Sequence, residues 1–309
     1  MKIAFVFPGQ GSQSAGMLDA FGENAAVRDV LTRAGAALDQ DIAGLIATGP
    51  ADALNLTTNT QPVMLTAGAA IYAAWQAAGG RTPDVMAGHS LGEYTALVAA
   101  GVLSLEDGVR LVRIRADAMQ SAVPVGTGGM AAILGLDDDA VRQACQEAAQ
   151  GEVVEAVNFN APAQVVIAGH KAAVERACAA AKAAGAKRAL PLPVSAPFHS
   201  SLLLPAADVL AAALAETPLA APKVPVINNV DVASPTDPAQ IRDALVRQAW
   251  HPVRWVETVH AMKAQGVTHI VECGPGKVLA GLVKRIDGDL TALAITDPAS
   301  LEAALAACA

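Results

Sequence analysis

Val85-Met86-Ala87-Gly88-His89-Ser90-Leu91-Gly92-Glu93-Tyr94, running on through Thr95 to Ala100, reads as a short apolar strand, a tight turn and a helix. The turn carries Gly88-x-Ser90-x-Gly92. A serine hydroxyl is a weak nucleophile, so it must be exposed and within reach of a base. A sharp strand-to-helix turn projects the side chain outward, and glycines on either side remove the Cβ atoms that would crowd it. The same turn sets Ser90 at a helix N-terminus, where free N–H groups stabilise negative charge. A plain glycine-rich turn would share the pentapeptide. The strand-turn-helix context is what separates the two.

Upstream, Lys2 to Phe7 reads as a buried strand running into the loop Pro8-Gly9-Gln10-Gly11-Ser12-Gln13. A helix is expected after Thr60 or Gln61, with Pro62 in its first turn. Residues 53–80 carry no charge, but the apolar part is mostly Ala and Gly and includes Thr66 and Gln76. This stretch is therefore read as a buried helix and not a membrane span. Ser104-x-x-Asp107 resembles a capping box at the head of an amphipathic helix. Strand and helix alternating in this way predict an open, mostly parallel sheet.

From Gly126 the pattern changes. Residues 126–136 (GTGGMAAILGL) read as loop then strand, Asp138 to Ala149 as helix, and Val153 to Asn158 and Gln164 to Ala168 as strands around a turn at Pro162. Ala172 to Ala184 reads as a helix and Lys187 to Val194 as a further strand. The β-α-β-β-α-β order is ferredoxin-like. The expected organisation is a small domain, 126–194, inserted into a large one made of 1–125 and 195–309. His269 to Cys273 is expected as a strand, with Gly274-Pro275-Gly276-Lys277 as the turn into another helix. This is not a P-loop, since that motif's upstream glycine and downstream Ser or Thr are absent.

The 309 residues are 53% hydrophobic and 16% charged, enough apolar material for a large core. The formal charge of −8 excludes a general nucleic-acid binder. The cysteines at 145, 178, 273 and 308 form no C-x-x-C pair, and are read as reduced thiols in a cytoplasmic protein.

Ser90 requires a base. His89 is adjacent and on a sharp turn points elsewhere. His199 lies in a Pro-flanked loop at the junction of the two domains, where clefts form. His170, His251, His260 and His269 have no nearby motif and are read as structural. No carboxylate is evident beside His199. If a helix from Ile241 runs toward Pro252, the carbonyl of Gln248 loses its i+4 donor and is free to hold the imidazole; an ordinary frayed helix end would look the same. On a helix from Ser104 to Ala122, Arg115 falls with Leu111, Ile114, Ala118 and Met119, opposite Arg110, Arg113 and Asp117. A core-facing arginine needs a partner, either a substrate carboxylate or an internal Asp or Glu. The loop at 8–13 lacks the third glycine of a dinucleotide fingerprint. It fits better as a turn bringing the Gln10 N–H near Ser90, to form an oxyanion hole with the Leu91 N–H.

The segments PGQGSQ (8–13), GHSLGEY (88–94), NFNAPAQVVIAG (158–169), PVSAPFHS (193–200) and ECGPGKVL (272–279) occur in one order over nearly the whole chain. Together they resemble the malonyl-CoA:acyl carrier protein transacylases of bacterial fatty-acid synthesis. The resemblance implies an α/β-hydrolase-like large domain with the ferredoxin-like insert. It implies ping-pong transfer of malonyl from coenzyme A, a substrate and not a resident cofactor, through a Ser90 ester to the thiol of acyl carrier protein. By the same resemblance His199 is the base, the Gln248 carbonyl orients it, Arg115 clamps the malonyl carboxylate, and Gln10 and Leu91 supply oxyanion N–H groups. Phe198 restricts the α-carbon, Met119 belongs to the acyl site, and Asn158 and Asn160 face the cleft without an assigned role. A weak, salt-sensitive basic patch for the acidic carrier is expected among Lys187, Arg188, Lys277, Lys284 and Arg285. A serine esterase or thioesterase would share the nucleophile but pass the acyl group to water.

Overall fold

In a computed structural model of the chain, residues 1–194 and 196–309 are described. Residue 195, where the second segment of the large domain is expected to begin, lies outside them. Strands β1 (Lys2–Phe7), β2 (Val85–Gly88), β7 (Val226–Ile227), β8 (Val267–Cys273) and β9 (Thr291–Ile295) form one sheet in the order β7-β2-β1-β8-β9, and every pairing is parallel. β1 lies in the centre and is apolar from Ile3 to Phe7, all fully buried, as a strand covered on both faces must be. A second sheet, of β3 (Gly128–Leu134), β4 (Val154–Ala161), β5 (Gln164–His170) and β6 (Arg188–Pro191), is antiparallel in the order β4-β5-β3-β6. Helices Asp138–Ala149 and Lys171–Ala183 cover it. This is the ferredoxin-like arrangement expected from the order of elements.

Helix Thr57–Ala77 is buried along nearly its whole length. Its Tyr72 and Trp75 pack edge-on to Phe5, with ring centroids 5.7 and 4.9 Å away. The helix starts about a turn earlier than expected, with Pro62 inside it and not in its first turn. Proline removes only the bond to Thr58, little more than one turn from the helix start, so the helix tolerates it. Among the described residues no helix is long and apolar enough to cross a membrane. The strand expected over 187–194 is confined to Arg188–Pro191, which pairs with β3.

The two sheets are joined. Val253 N donates to Val157 O at 2.8 Å, and Phe159 N donates to Val253 O at 3.0 Å, so the loop after Gln248 pairs with the edge of β4. Glu155 adds bonds from Ser201 N and Ser201 Oγ, both 2.8 Å. Pairing an edge strand in this way removes its free backbone groups. The C-terminal ends of β1, β2, β7 and β8 face this seam, which is where open parallel sheets bind ligands.

β8 carries a buried carboxylate, Glu272, whose Oε2 accepts from Ala280 N at 2.8 Å at the head of helix Val278–Ile286. Burial pushes its carboxyl up to about 7 despite the helix amides, from 4.5 when solvated. The folded chain therefore keeps a proton that the unfolded chain has released. Stability from this group is full below pH 4.5 and is lost as the pH rises toward 7. In urea unfolding at pH 5 and pH 8, Glu272→Gln is expected to lose less stability between the two than the parent chain. Equal losses would contradict the assignment.

Candidate active site

Ser90 sits between the end of β2 and helix Leu91–Ala99 with φ 54° and ψ −111°. A non-glycine residue there costs about 1–3 kcal/mol and persists only where its surroundings enforce it. A Cβ on Gly88 would overlap the backbone of Gly92, and a Cβ on Gly92 would overlap the carbonyl of Phe7. Both glycines are thus sterically required. Asn229, just beyond β7, finishes the clamp: its Oδ1 accepts from Ser90 N at 2.7 Å and its Nδ2 donates to Gly88 O at 2.7 Å.

Ser90 Oγ donates to His199 Nε2 at 2.6 Å. On the far side of the ring, His199 Nδ1 lies 2.9 Å from the carbonyl of Gln248. A carbonyl only accepts, so Nδ1 carries the proton and Nε2 is left as the basic nitrogen. Gln248 is the last residue of helix Pro238–Gln248, so its carbonyl is outside the helical ladder, as Pro252 suggested. Burial, then the charge of Arg115, depress the His199 imidazolium to about 3, and the Gln248 carbonyl offsets only part of this. The resting ring is neutral and ready to accept a proton.

Arg115 is 2% exposed, on helix Leu105–Ser121. Ile114, expected beside it in the core, is 38% exposed instead. It sits one residue, or about 100°, round the helix from Arg115, at the edge of the apolar stripe. Arg115 Nη1 donates to Gln61 Oε1 at 2.8 Å, and Nη2 donates to Gln248 Oε1 at 3.0 Å and to Ser90 Oγ at 3.2 Å. The ring of Tyr94 lies 5.3 Å from the guanidinium carbon. Among the described residues no carboxylate forms a salt bridge with Arg115, and its Nε has no hydrogen-bond partner.

A cleft of about 220 Å³ opens over Ser90, His199 and Arg115. Gln10 and Leu91 line it beside the nucleophile, and Phe198 narrows it with Met130 and Val194. Asn158 and Asn160 face it from the small sheet. Asn160 Oδ1 lies 2.7 Å from His89 Nε2, so His89 turns toward the small sheet and away from Ser90 Oγ. Met119 does not line the cleft: its Sδ lies 3.9 Å from Gln61 Nε2, behind the residue that holds Arg115. Lys187, Arg188, Lys277, Lys284 and Arg285 are exposed outside the cleft, and Arg285 is hydrogen-bonded to Gln164.

Gln61, Glu93 and Asn229 complete this arrangement, and sequence reasoning missed all three. Glu93 is 2% exposed; its Oε2 accepts from Asn229 N at 2.9 Å and from Gln248 Nε2 at 3.0 Å. Gln248 Nε2 also donates to Ser90 O at 2.9 Å. Burial raises the Glu93 carboxyl to about 7, against the pull of Gln248, Asn229 and Arg115. Its place in the segment after Ser90 was the one available signal, and helical periodicity alone did not reveal its partners.

The acyl transferase domain model matches residues 4–287. The chain is 59% identical to the malonyl CoA-acyl carrier protein transacylase of Salmonella typhimurium over 305 residues, 98% of this chain and 99% of that protein. It superposes with TM-score 0.98 on an acyl-carrier-protein S-malonyltransferase from Burkholderia pseudomallei, at 68% identity, covering 99% and 100% of the two chains. A complex of a type II PKS acyl-carrier protein with its malonyl-transacylase also matches, with TM-score 0.98, 52% identity and coverage of 99% and 100%.

Two outcomes follow from this geometry. Gly92→Ala should lower stability by about 3 kcal/mol or more, since neither backbone in contact can yield; a melting point within a degree of the parent would refute it. Because His199 is already neutral, modification of Ser90 by a neutral organophosphorus fluoride should keep most of its rate from pH 7 down to pH 5. A loss of rate centred on 6.5, the ordinary histidine value, would count against the depressed imidazole.

Proposed function

The chain belongs to the acyl transferase domain family, and on that premise we propose that it moves malonyl from coenzyme A to the phosphopantetheine thiol of acyl carrier protein in the cytoplasm. The observation that carries this reading is a buried guanidinium 3.2 Å from the nucleophile that, among the described residues, forms no salt bridge with a carboxylate. A plain ester substrate has no use for that charge, whereas malonyl ends in a carboxylate. It also favours transfer over hydrolysis of simple esters.

Ser90 Oγ attacks the thioester carbon while its proton passes to His199 Nε2. The N–H groups of Gln10 and Leu91 receive the oxyanion, each such donor being worth roughly 3–4 kcal/mol in the transition state. Collapse breaks the C–S bond, and His199 returns the proton to the coenzyme A sulfur. In the second half-reaction His199 takes the proton of the carrier thiol, whose sulfur attacks the Ser90 ester. Ser90 leaves and is reprotonated by His199. The Gln248 carbonyl keeps the ring in the required tautomer, Phe198 limits substitution at the α-carbon, and Met119 acts indirectly by backing Gln61. The sheet of 126–194 is taken as the inserted small domain. Lys187, Arg188, Lys277, Lys284 and Arg285 are the basic groups offered to the carrier.

Intact mass after brief mixing with malonyl-CoA tests this. The parent chain should gain one malonyl group, and Ser90→Ala none while remaining folded. Arg115→Ala should lose malonyl loading at least tenfold more than acetyl loading. Free malonate without adduct would favour a hydrolase, and equal losses of the two acyl groups would end the role given to Arg115.

A further inference from the structure

Arg115 and Glu93 are both buried, of opposite charge, and do not touch. One amide separates them: Gln248 Nε2 donates to Glu93 Oε2 at 3.0 Å, while its Oε1 accepts from Arg115 Nη2 at 3.0 Å. The amide cannot turn over without breaking both bonds and the one from Nε2 to Ser90 O. Its dipole therefore carries the charge of each group toward the other while keeping the carboxylate off the guanidinium.

We infer that Glu93 is the resident counter-ion of Arg115 and competes with the acyl carboxylate, so that loading a carboxylated acyl group drives a proton onto Glu93. The inference rests on the reading of Arg115 given above. In the empty site one cation faces one anion. A carboxylated acyl group on Ser90 brings a second anion to the same guanidinium. Glu93 then keeps its burial cost while sharing its buried cationic neighbour, Arg115, and its proton affinity rises. An acetyl group brings no charge and leaves Glu93 as it was.

The other groups facing Glu93 do not compete for this role. Tyr94, on its own helix, is pushed up to about 12 by burial. Asp231, beyond Asn229, is held below its ordinary value by Arg247, at 2.7 Å. His199, on the far side of Gln248, stays neutral with its proton affinity at about 3. The empty-site carboxyl of Glu93 stands at about 7, so the exchange falls near neutrality. The sign follows: below this range Glu93 is protonated and the second anion meets no competitor, so carboxylated loading is favoured at low pH.

The test is the equilibrium occupancy of Ser90 in malonyl-CoA/CoA and acetyl-CoA/CoA mixtures, read by intact mass from pH 6 to pH 8. Ionisation of coenzyme A cancels in the ratio of malonyl to acetyl occupancy constants. If malonylation raises the Glu93 carboxyl by about one unit, the ratio in the parent chain should rise about fivefold from pH 8 to pH 6. Glu93→Gln keeps the shape and both hydrogen bonds without the charge, and should hold the ratio high and flat across the range. A parent chain that takes malonyl with a pH-independent ratio overturns the inference and leaves the transferase reading standing. A folded Glu93→Gln chain that follows the parent's pH dependence does the same. A chain that takes no malonyl at any pH overturns both.

Discussion

Ser90 at φ 54° is the constraint on which the site depends. L-residues avoid this conformation. Within the turn, Gly88 and Gly92 allow the strand and helix to approach, and from outside it Asn229 bonds the backbone on either side of His89. In return the hydroxyl stands clear of the helix, within reach of an imidazole. Glu93 holds Asn229 and Gln248, Gln248 holds the base by its carbonyl and Arg115 by its side chain, and Gln61 holds Arg115 from the other side. Strain at one residue is thus supported by a polar network whose members are almost wholly buried. Buried polar groups are costly unless satisfied, and here nearly every bond of the network also positions a reacting group.

The parts of this site that lie in one short segment were legible in the sequence. The strand, the elbow and the helix behind it are contiguous, and their apolar and glycine pattern is set by local geometry. The β-α-β-β-α-β order was visible for the same reason, and its strands and helices fall within a few residues of expectation. The roles proposed for His199 and the Gln248 carbonyl came chiefly through the family resemblance, with the proline at 252 as a local hint. What escaped was the long-range polar layer. Asn229 is 139 residues from the amide it accepts, and Glu93 lies 155 residues from the glutamine it orders. No local rule of propensity or periodicity pairs such residues.

Two misreadings have local causes. Proline favours the first turn of a helix, which is where the sequence puts Pro62, but tertiary burial of helix Thr57–Ala77 carries the helix back past it. Winding 104–122 as a helix puts Ile114 on the apolar side with Arg115. Its azimuth leaves it at the boundary, with Gln61 and Gln248 meeting the arginine next to it.

The backbone pairing of Val253 with β4 ties the wall of the cleft to the anchor of the base. Val253 follows Gln248 by five residues, so the loop that borders the small sheet is continuous with the helix end that holds His199. Swinging the small sheet outward on a hinge would pull on that helix end and draw the carbonyl away from the imidazole. A descendant of this chain that accepts bulkier acyl groups would keep the seam shut and make room by shortening side chains such as Phe198 and Met130, one by one, within a frame of unchanged outline.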